Sequence, residues 1–520
     1  MPTLNWIGKD EIVQHDKEVK FKLFKKVKGC SVGDKSKNLL IHGDNLEALK
    51  ALMPYYQRQI KCIYIDPPYN TGNENWVYND NVNSPKIKKW LKSKVNREDL
   101  TRHDKWLCMM YPRLKLLKEL LSDDGVIFIS IDDNEQANLK LIMDDIFGEK
   151  NFITQITREA IKGGSQSKFI RNTHDYVFVY AKEINFVEFS GIEQEGISLN
   201  LKDEKGPYAV GRELNKWGAG SRREDAPGMW FPIPGPDGEE VYPIRNDGSE
   251  GRWRLGKKNM LKKVKDADVI FKKRDDGTYI VYEKIRDGST RIKQFISIFK
   301  DNYINAKGSE RLKKLFNTER AIFDYSKPVE LILDLMIMAN LEKDAIVLDS
   351  FAGSGTTAHA VMELNREDKG NRKFILIEME DHAKTITAER IKNAIKLEGY
   401  REGFEFCELG KPLFDEKGDI EEECSFEQLA IYIYFTETQT NIDKKEIKGN
   451  FIGEFKPKNS EYYLIFKDKY TNVLKRNFIE KINKNNNKKV IYADLCLIDK
   501  DTLEKNNIQF KQIPYEVKKY

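Results

Sequence analysis

The chain has 520 residues, 33% charged and 40% hydrophobic, with a formal net charge of +5. That length exceeds one ordinary core, so about two to four domains are expected, and no apolar run is long enough to span a bilayer as a helix, so with this charge content a soluble globular protein is expected. The first residues, MPTLNWIGKDEIVQHD, lack the basic-then-apolar pattern of a secretory signal, and the cysteines at 30, 62, 108, 407, 424 and 496 show no C-x-x-C spacing, so a cytoplasmic protein with reduced thiols is expected.

Residues 1–38 read as an N-terminal arm. From 39 to 182 strand and helix alternate through LLIHGD, the helical NLEALKALMPYY, KCIYI, a long helix around LCMMYPRLKLLKELL, GVIFISI, the helix ANLKLIMDDIF and the strand DYVFVYA. Such alternation predicts a parallel sheet flanked by helices. Between 183 and 318 the character changes to clustered prolines, glycines and aromatics (PGMWFPIPGPDGEE, RNDGSEGRWRLG) with short strands such as TYIVYEKI, which predicts an inserted domain. Alternation resumes over 319–403 with PVELILDLMIMAN, AIVLD, TTAHAVMEL, KFILIE and TITAERIKNAIKL. Beyond 404, LAIYIYF, EYYLIF and KKVIYADLCLI read as strands around the polar break NKNNNKK, so 404–520 is predicted to be a separate α+β domain.

The small net charge is unevenly spread. Gly251 to Lys314 holds 19 Lys and Arg against 8 Asp and Glu, an excess of +11 that leaves −6 for the remainder. A basic middle in a mildly acidic chain suits a polyanion partner, although a solvated surface would explain it equally well.

Two motifs carry chemistry. In LDSFAGSGTTAHAV, Leu348 to Val361, a strand ends at Asp349, and Gly353 and Gly355 precede a helix starting near Thr356. The glycines permit a tight turn and close approach of a ligand to backbone, and the helix amino terminus offers unpaired N–H groups; a turn built for packing alone is the plain alternative. The next strand ends in KFILIEME and places Glu378 at its carboxyl end, where an acid in a doubly wound sheet accepts hydrogen bonds from ribose hydroxyls. No Gly-Lys-Ser/Thr follows, which disfavours a triphosphate site.

The second motif is YIDPPYNTG, Tyr64 to Gly72. Proline fixes φ and extends the residue before it, so Asp66-Pro67-Pro68-Tyr69 holds two acceptors, the Asp66 carboxylate and the Pro67 carbonyl, at a rigid spacing off a strand end. A primary amine offers two N–H donors, and an aromatic ring stacks on a flat heterocycle. The set describes a pocket for a planar base with an exocyclic amine, the alternative being a merely stiff turn.

These residues resemble the amino-methyltransferases that methylate exocyclic amines of DNA bases: DPPY resembles their catalytic motif and D-x-F-A-G-S-G-T-T their S-adenosylmethionine motif. The catalytic motif comes first, the insert second and the cofactor glycines last, the permuted order of the β group. DPPY rather than SPPY points to N6 of adenine. HGDNLEALKAL, SDDGVIFISIDDNE, RNTHDYVFVYAK and FDYSKPVELI fit the same family, and the resemblance runs from about Leu39 to Leu397. The large insert and extra C-terminal domain are most similar to the modification subunits of type III restriction-modification systems.

The resemblance implies a Rossmann-like α/β methyltransferase fold with a catalytic half (39–182), a target-recognition insert (183–318), a cofactor-binding half (319–403) and the C-terminal domain. It implies S-adenosylmethionine as cofactor, duplex DNA as substrate, a homodimer, and a helicase-nuclease restriction subunit as partner. Asp66, Pro67, Pro68 and Tyr69 would hold a flipped adenine. Asp44 and Asn45 would reach the cofactor's adenine, though a helix N-cap suits them too; Lys327 would lie near its methionine tail; Asp349, Phe351, Gly353, Gly355 and Thr356 would surround it, with Glu378 on the ribose. A sulfonium donor requires neither metal nor covalent intermediate, and no H-E-x-x-H or clustered cysteine ligands are present. His174 is expected to be a packed or surface histidine rather than a pocket residue. Arginines of GSRREDAPGMW and GRWRLG are candidates for reading bases. The rivals are a stand-alone adenine methyltransferase, an N4-cytosine enzyme and a DNA-binding module without catalysis.

Overall fold

The computed structural model describes residues 4–33, 36–72, 101–163, 169–194, 196–288, 291–415, 418–467 and 470–513. The chain divides into two compact units, one of residues 1–190 with 296–520 and one of residues 191–295.

Among the described residues of the larger unit, ten strands join in one sheet: β1 Lys22–Lys26, β2 Leu39–His42, β3 Ile60–Ile65, β4 Leu121–Ile131, β5 Phe152–Glu159, β6 His174–Ala181, β7 Ile298–Phe299, β8 Ile346–Asp349, β9 Lys373–Glu378 and β10 Glu405–Pro412. Their spatial order is β1-β10-β2-β9-β8-β3-β4-β6-β5-β7. The run from β10 to β4 is parallel throughout. Its central strands, IKCIYI and KFILIE, are buried along nearly their whole length, as expected of strands covered on both faces.

The longer described helices of this unit are α1 Asn45–Tyr56, α2 Arg102–Leu120, α3 Gln136–Phe147, α4 Asn305–Phe316, α5 Val329–Met338, α6 Thr356–Asp368, α7 Ala388–Glu398 and α8 Phe426–Thr438. Helix α2 packs on α1 and α3, α5 packs on α6, and α4 packs on α7. Trp106, Leu49, Leu114, Leu117 and Ile142 unite the first set in a core with Ile63 and Ile129 of the sheet. No described helix is long and apolar enough to cross a membrane.

Several elements depart from the sequence expectations. The strand DYVFVYA is not parallel: β6 runs antiparallel to both β4 and β5. Its His174 end therefore lies at the carboxyl edge of β4, level with Ile131 through the Tyr176 pairing. Residues 1–38 are no free arm, since β1 pairs with β10 and Trp6 is buried, its indole N–H 3.3 Å from Cys108 Sγ. Residues 296–318 group with the sheet rather than the insert, through the parallel pairing of β7 with β5. The boundary at 404 also moves, because Glu405–Pro412 is β10 of the main sheet.

LAIYIYF, expected as a strand, lies inside α8. Ser425 and Gln428 form a reciprocal capping box that satisfies orphan donors at the helix start, and Leu429 to Phe435 is buried throughout, so no periodicity separates helix from strand there. Four C-terminal strands, Phe451–Phe455, Ser460–Leu464, Lys488–Ala493 and Ile508–Gln512, form a mixed sheet. Of the C-terminal stretch FKQIPYEV, residues 510–517, the part from 514 onward lies outside the described residues.

The smaller unit has an antiparallel sheet ordered Val269–Lys273, Tyr279–Ile285, Gly206–Glu213, Leu201–Asp203, with a helix over Lys257–Lys265. Its core gathers Leu214, Phe231, Trp253, Met260 and Val281, and the Trp253 indole donates to the Phe231 carbonyl at 2.8 Å.

Candidate active site

Four adjacent strands deliver the predicted residues to one edge. In the order β2-β9-β8-β3, Asp44 and Asn45 follow β2, Glu378 ends β9, Asp349 ends β8 ahead of the glycine turn, and Asp66 to Tyr69 follow β3. All four strands are parallel, so these are carboxyl ends, the edge where open α/β sheets receive ligands.

The elbow after β3 is held from below. The Trp106 indole donates to the Pro68 carbonyl at 2.7 Å. Asn70 adopts the left-handed conformation (φ 58°), is fully buried, and donates to the Arg102 carbonyl at 3.2 Å and to Glu135. Glu135, itself buried, also meets His103 Nδ1 at 2.6 Å, and burial pushes its carboxyl above the usual range. The Tyr69 hydroxyl donates to Asp175 Oδ2 at 3.3 Å. Asp175 is clamped by Arg158, whose Nε donates to Oδ1 at 2.7 Å and whose Nη2 bonds Oδ2. Burial, with the Asp66 and Asp175 carboxylates nearby, holds the Tyr69 phenol proton far above its ordinary range. Tyr69 is thus a neutral ring with a fixed edge.

Asp66 has two unlike oxygens. Its Oδ2 accepts from Lys327 Nζ at 2.5 Å. Its Oδ1 is buried and takes no hydrogen bond from any described residue. The Lys327 ammonium also stands 5.2 Å from the centroid of the Tyr69 ring. Lys327, expected near the cofactor's methionine tail, thus reaches the Asp-Pro-Pro-Tyr elbow with its side chain, while its carbonyl accepts from Thr356 Oγ1 at 3.2 Å.

The glycine turn is fixed by its own side chains. Asp349 accepts from the Phe351 N–H at 3.0 Å and from the Thr357 hydroxyl at 2.5 Å; burial pushes its carboxyl up to about 7. Gly353 and Gly355 have φ of 50° and 81°, where a side chain is strained, and a Cβ at Gly353 would come 3.3 Å from Phe323. Glu378 Oε2 accepts from the Gly353 N–H at 2.7 Å, and Oε1 from the Glu380 N–H at 3.0 Å, so the acid is tied to the turn. Phe351 is half-buried against the core. Thr356 and Ser354 are bonded by Arg390 Nη1 at 2.7 and 2.8 Å.

The HGDN segment is an N-cap in fact: Asp44 Oδ1 accepts from the Glu47 N–H at 3.1 Å. Asn45 donates to the Ser350 carbonyl at 3.3 Å and accepts from the buried Arg113 at 2.5 Å, which ties β2's end to β8's. His174 is half-buried and bonds the Tyr176 hydroxyl at 2.8 Å. The cluster His359, Glu363 and Glu398 has the spacing of a cation site, but Arg311 reaches Glu398 at 2.5 Å and Tyr400 bonds both carboxylates, so their charge is already answered. In the smaller unit Arg223 pairs with Glu250 at 2.8 Å and Arg252 donates to the Gly220 carbonyl at 2.6 Å, whereas Arg222 and Arg254 are exposed.

Sequence reasoning missed Arg158, Asp175, Trp106, Arg113 and Arg390. One signal was available: Ile156 and Arg158 share a face of β5 by the two-residue strand period, which places a guanidinium inside.

The parallel run of an open α/β sheet thus brings a glycine turn and an Asp-Pro-Pro-Tyr elbow to the carboxyl ends of adjacent strands. Residues 60–389 match the family described as DNA methylase, and the chain belongs to that family. It is 36% identical over 404 residues to the type III restriction-modification enzyme EcoPI Mod subunit of Escherichia phage P1, covering 71% of this chain and 61% of that one. It is 36% identical over 355 residues to the StyLTI Mod subunit of Salmonella typhimurium, covering 66% and 52%. With the type II methyltransferase M.KpnI of Klebsiella pneumoniae the identity is 34% over 366 residues, covering 68% and 83%. The chain thus spans between about half and three-fifths of the two Mod subunits.

Proposed function

We propose that the protein methylates the N6 amine of adenine in duplex DNA, using S-adenosylmethionine, as the modification subunit of a type III restriction-modification system. The observation that carries the reading is Asp66: one oxygen is pinned, the other is buried and unanswered, beside a neutral ring and two strands from a ribose-type acid.

The residues present fit the cofactor. Gly353 and Gly355, both at positive φ, leave backbone bare in the turn, and the Glu378 carboxylate, buried at a strand end, keeps lone pairs for ribose hydroxyls beyond its two backbone donors. Gly353, Gly355, Thr356, Phe351, Glu378, Asp44 and Asn45 would hold S-adenosylmethionine, which supplies an electrophilic methyl group on a sulfonium. The adenine must leave the duplex stack to reach it. Tyr69 stacks on the extruded base, and Asp66 Oδ1 and the Pro67 carbonyl accept its amine N–H groups. An aromatic amine donates its lone pair to the ring, so acceptors aimed at the pyramidal nitrogen favour the transition state over the flat ground state. As positive charge builds on that nitrogen, Asp66 Oδ1 holds its proton.

The insert supplies phosphate and base contacts, and its exposed Arg222 and Arg254 are the first candidates. Asp66→Ala should abolish transfer of labelled methyl groups to DNA while cofactor affinity, read by calorimetry, stays within about tenfold; equal loss of both would refute the division of roles. A stand-alone methyltransferase is the second reading, favoured by the 83% coverage of a type II relative. Recovery of a helicase-nuclease subunit with the tagged chain from its native cells supports the type III reading, and its repeated absence supports the other. Light scattering of the purified chain tests the homodimer.

A further inference from the structure

Lys327 bridges the two motifs. Its backbone belongs to the glycine turn: the Ser326 hydroxyl bonds Ser354 at 2.9 Å, the Lys327 carbonyl accepts from Thr356, and a Cβ on Gly308 would meet the Ser326 carbonyl at 2.1 Å and that of Lys327 at 2.7 Å. The strap is therefore held close on two sides. Its side chain, 6% exposed, runs the other way and places a cation on Asp66 Oδ2 and near the Tyr69 ring.

That position conflicts with the reaction. A base whose amine rests on Asp66 receives its methyl group from a sulfonium, so the reaction would bring a second positive charge towards the carboxylate that Lys327 already holds, and like charges repel in a partly buried site. An unpaired Asp66 carboxylate would be unfavourable without a cation to answer it. Both demands are met if one cation replaces the other.

We propose that the Lys327 ammonium is a place-holding counter-ion for Asp66, displaced when the cofactor's own positive charge arrives, so that the acceptor carboxylate is never left without a cation. This rests on the methyltransferase reading and adds a selection step to it. Only a ligand carrying positive charge at sulfur can release Lys327 without stranding Asp66. The demethylated product, S-adenosylhomocysteine, has a neutral sulfur and should be bound less well, which favours its exchange for fresh cofactor. Lys327 is a positioning residue here, acting through Asp66.

The test is calorimetric titration of S-adenosylmethionine and S-adenosylhomocysteine into the full chain without DNA, so the readout is a ratio of affinities and not turnover. Lys327→Met should raise the preference for the charged ligand by about tenfold or more, because its Asp66 waits unpaired. Lys327→Arg should leave the ratio near that of the natural protein, and Asp66→Asn should collapse it towards unity. If Lys327→Met weakens both ligands equally, Lys327 only contacts a part they share, and the exchange is refuted. Should the methionine variant fail to fold, Lys327→Gln gives the same reading, a raised ratio supporting the exchange and an unchanged ratio refuting it. Failure of the natural protein to bind either ligand would overturn the methyltransferase reading and the exchange together, whereas binding with unchanged ratios would overturn the exchange only.

Discussion

Removing Arg158 should separate the stability of the site from its chemistry. The side chain is fully buried, donates through Nε and Nη2 to Asp175, and through Nη1 to the Tyr303 carbonyl at 2.7 Å and Asn305 Oδ1 at 2.9 Å. Asp175 is itself buried and carries the Tyr69 hydroxyl. Arg158→Met leaves that carboxylate in low dielectric with only a phenol as donor. Breaking one side of such a pair is expected to destabilise by about 3–5 kcal/mol. Replacing both members with apolar groups of similar size is often close to neutral, so Arg158→Met with Asp175→Leu should regain most of the loss. The double variant still lacks the acceptor that orients Tyr69, so methyl transfer should stay depressed while stability returns. Urea unfolding followed by tryptophan fluorescence gives the first quantity, and incorporation of labelled methyl into DNA the second. A single-variant loss under about 1 kcal/mol, within the range of an exposed pair, or a double variant with full activity would refute the reasoning.

Three further outcomes follow from the site. Burial holds Asp349 at about 7 against an ordinary 3.8; with the folded value raised, its contribution is full below about pH 4 and is lost as pH rises towards 7, on the order of 4 kcal/mol. Asp349→Asn, whose amide oxygen can accept from the Phe351 N–H while its NH2 donates to the Thr357 hydroxyl, should flatten that part of the stability profile in urea titrations between pH 4 and 8, and an unchanged slope would count against it. Arg390 is buried with two guanidinium nitrogens unanswered, and burial lowers it to about 9; Arg390→Met should be nearly neutral for folding yet weaken cofactor binding about tenfold by freeing Ser354 and Thr356, measured by urea unfolding and calorimetry. Trp106→Phe removes the donor to the Pro68 carbonyl, a loss of about 1–3 kcal/mol, and should lower the transfer rate with cofactor affinity unchanged; intact kinetics would show that the prolines hold the elbow unaided.

Much of the frame was legible because parallel strands are apolar from end to end and stop abruptly at residues of another kind. Ile65 to Asp66 and Leu348 to Asp349 are such stops, and both lie on the expected edge. The supports were not legible. Trp106 lies 38 residues from Pro68, and Asp175 lies 106 from Tyr69; only the pairing of strands brings them together. The antiparallel turn of β6 is invisible in DYVFVYA, since a strand buried on both faces reads alike in either direction. LAIYIYF misled for a related reason, and the Ser425–Gln428 capping box was the local signal that outweighed its β-branched and aromatic composition.

The order of motifs along the chain becomes secondary once the sheet is seen. Strand β3 precedes β8 by nearly three hundred residues in sequence, yet Val347 lies level with Cys62 and Leu348 with Ile63. Strand β2, from the first half, sits between β9 and β10 of the second. The halves are therefore not separate lobes brought together but interleaved strands of one sheet, and the segment between them can be long because both its ends return to that sheet. The same interleaving explains why one lysine can serve both motifs: the strap that carries Lys327 is bonded to the turn after β8, and β8 is hydrogen-bonded to β3, so its side chain has only one strand to cross.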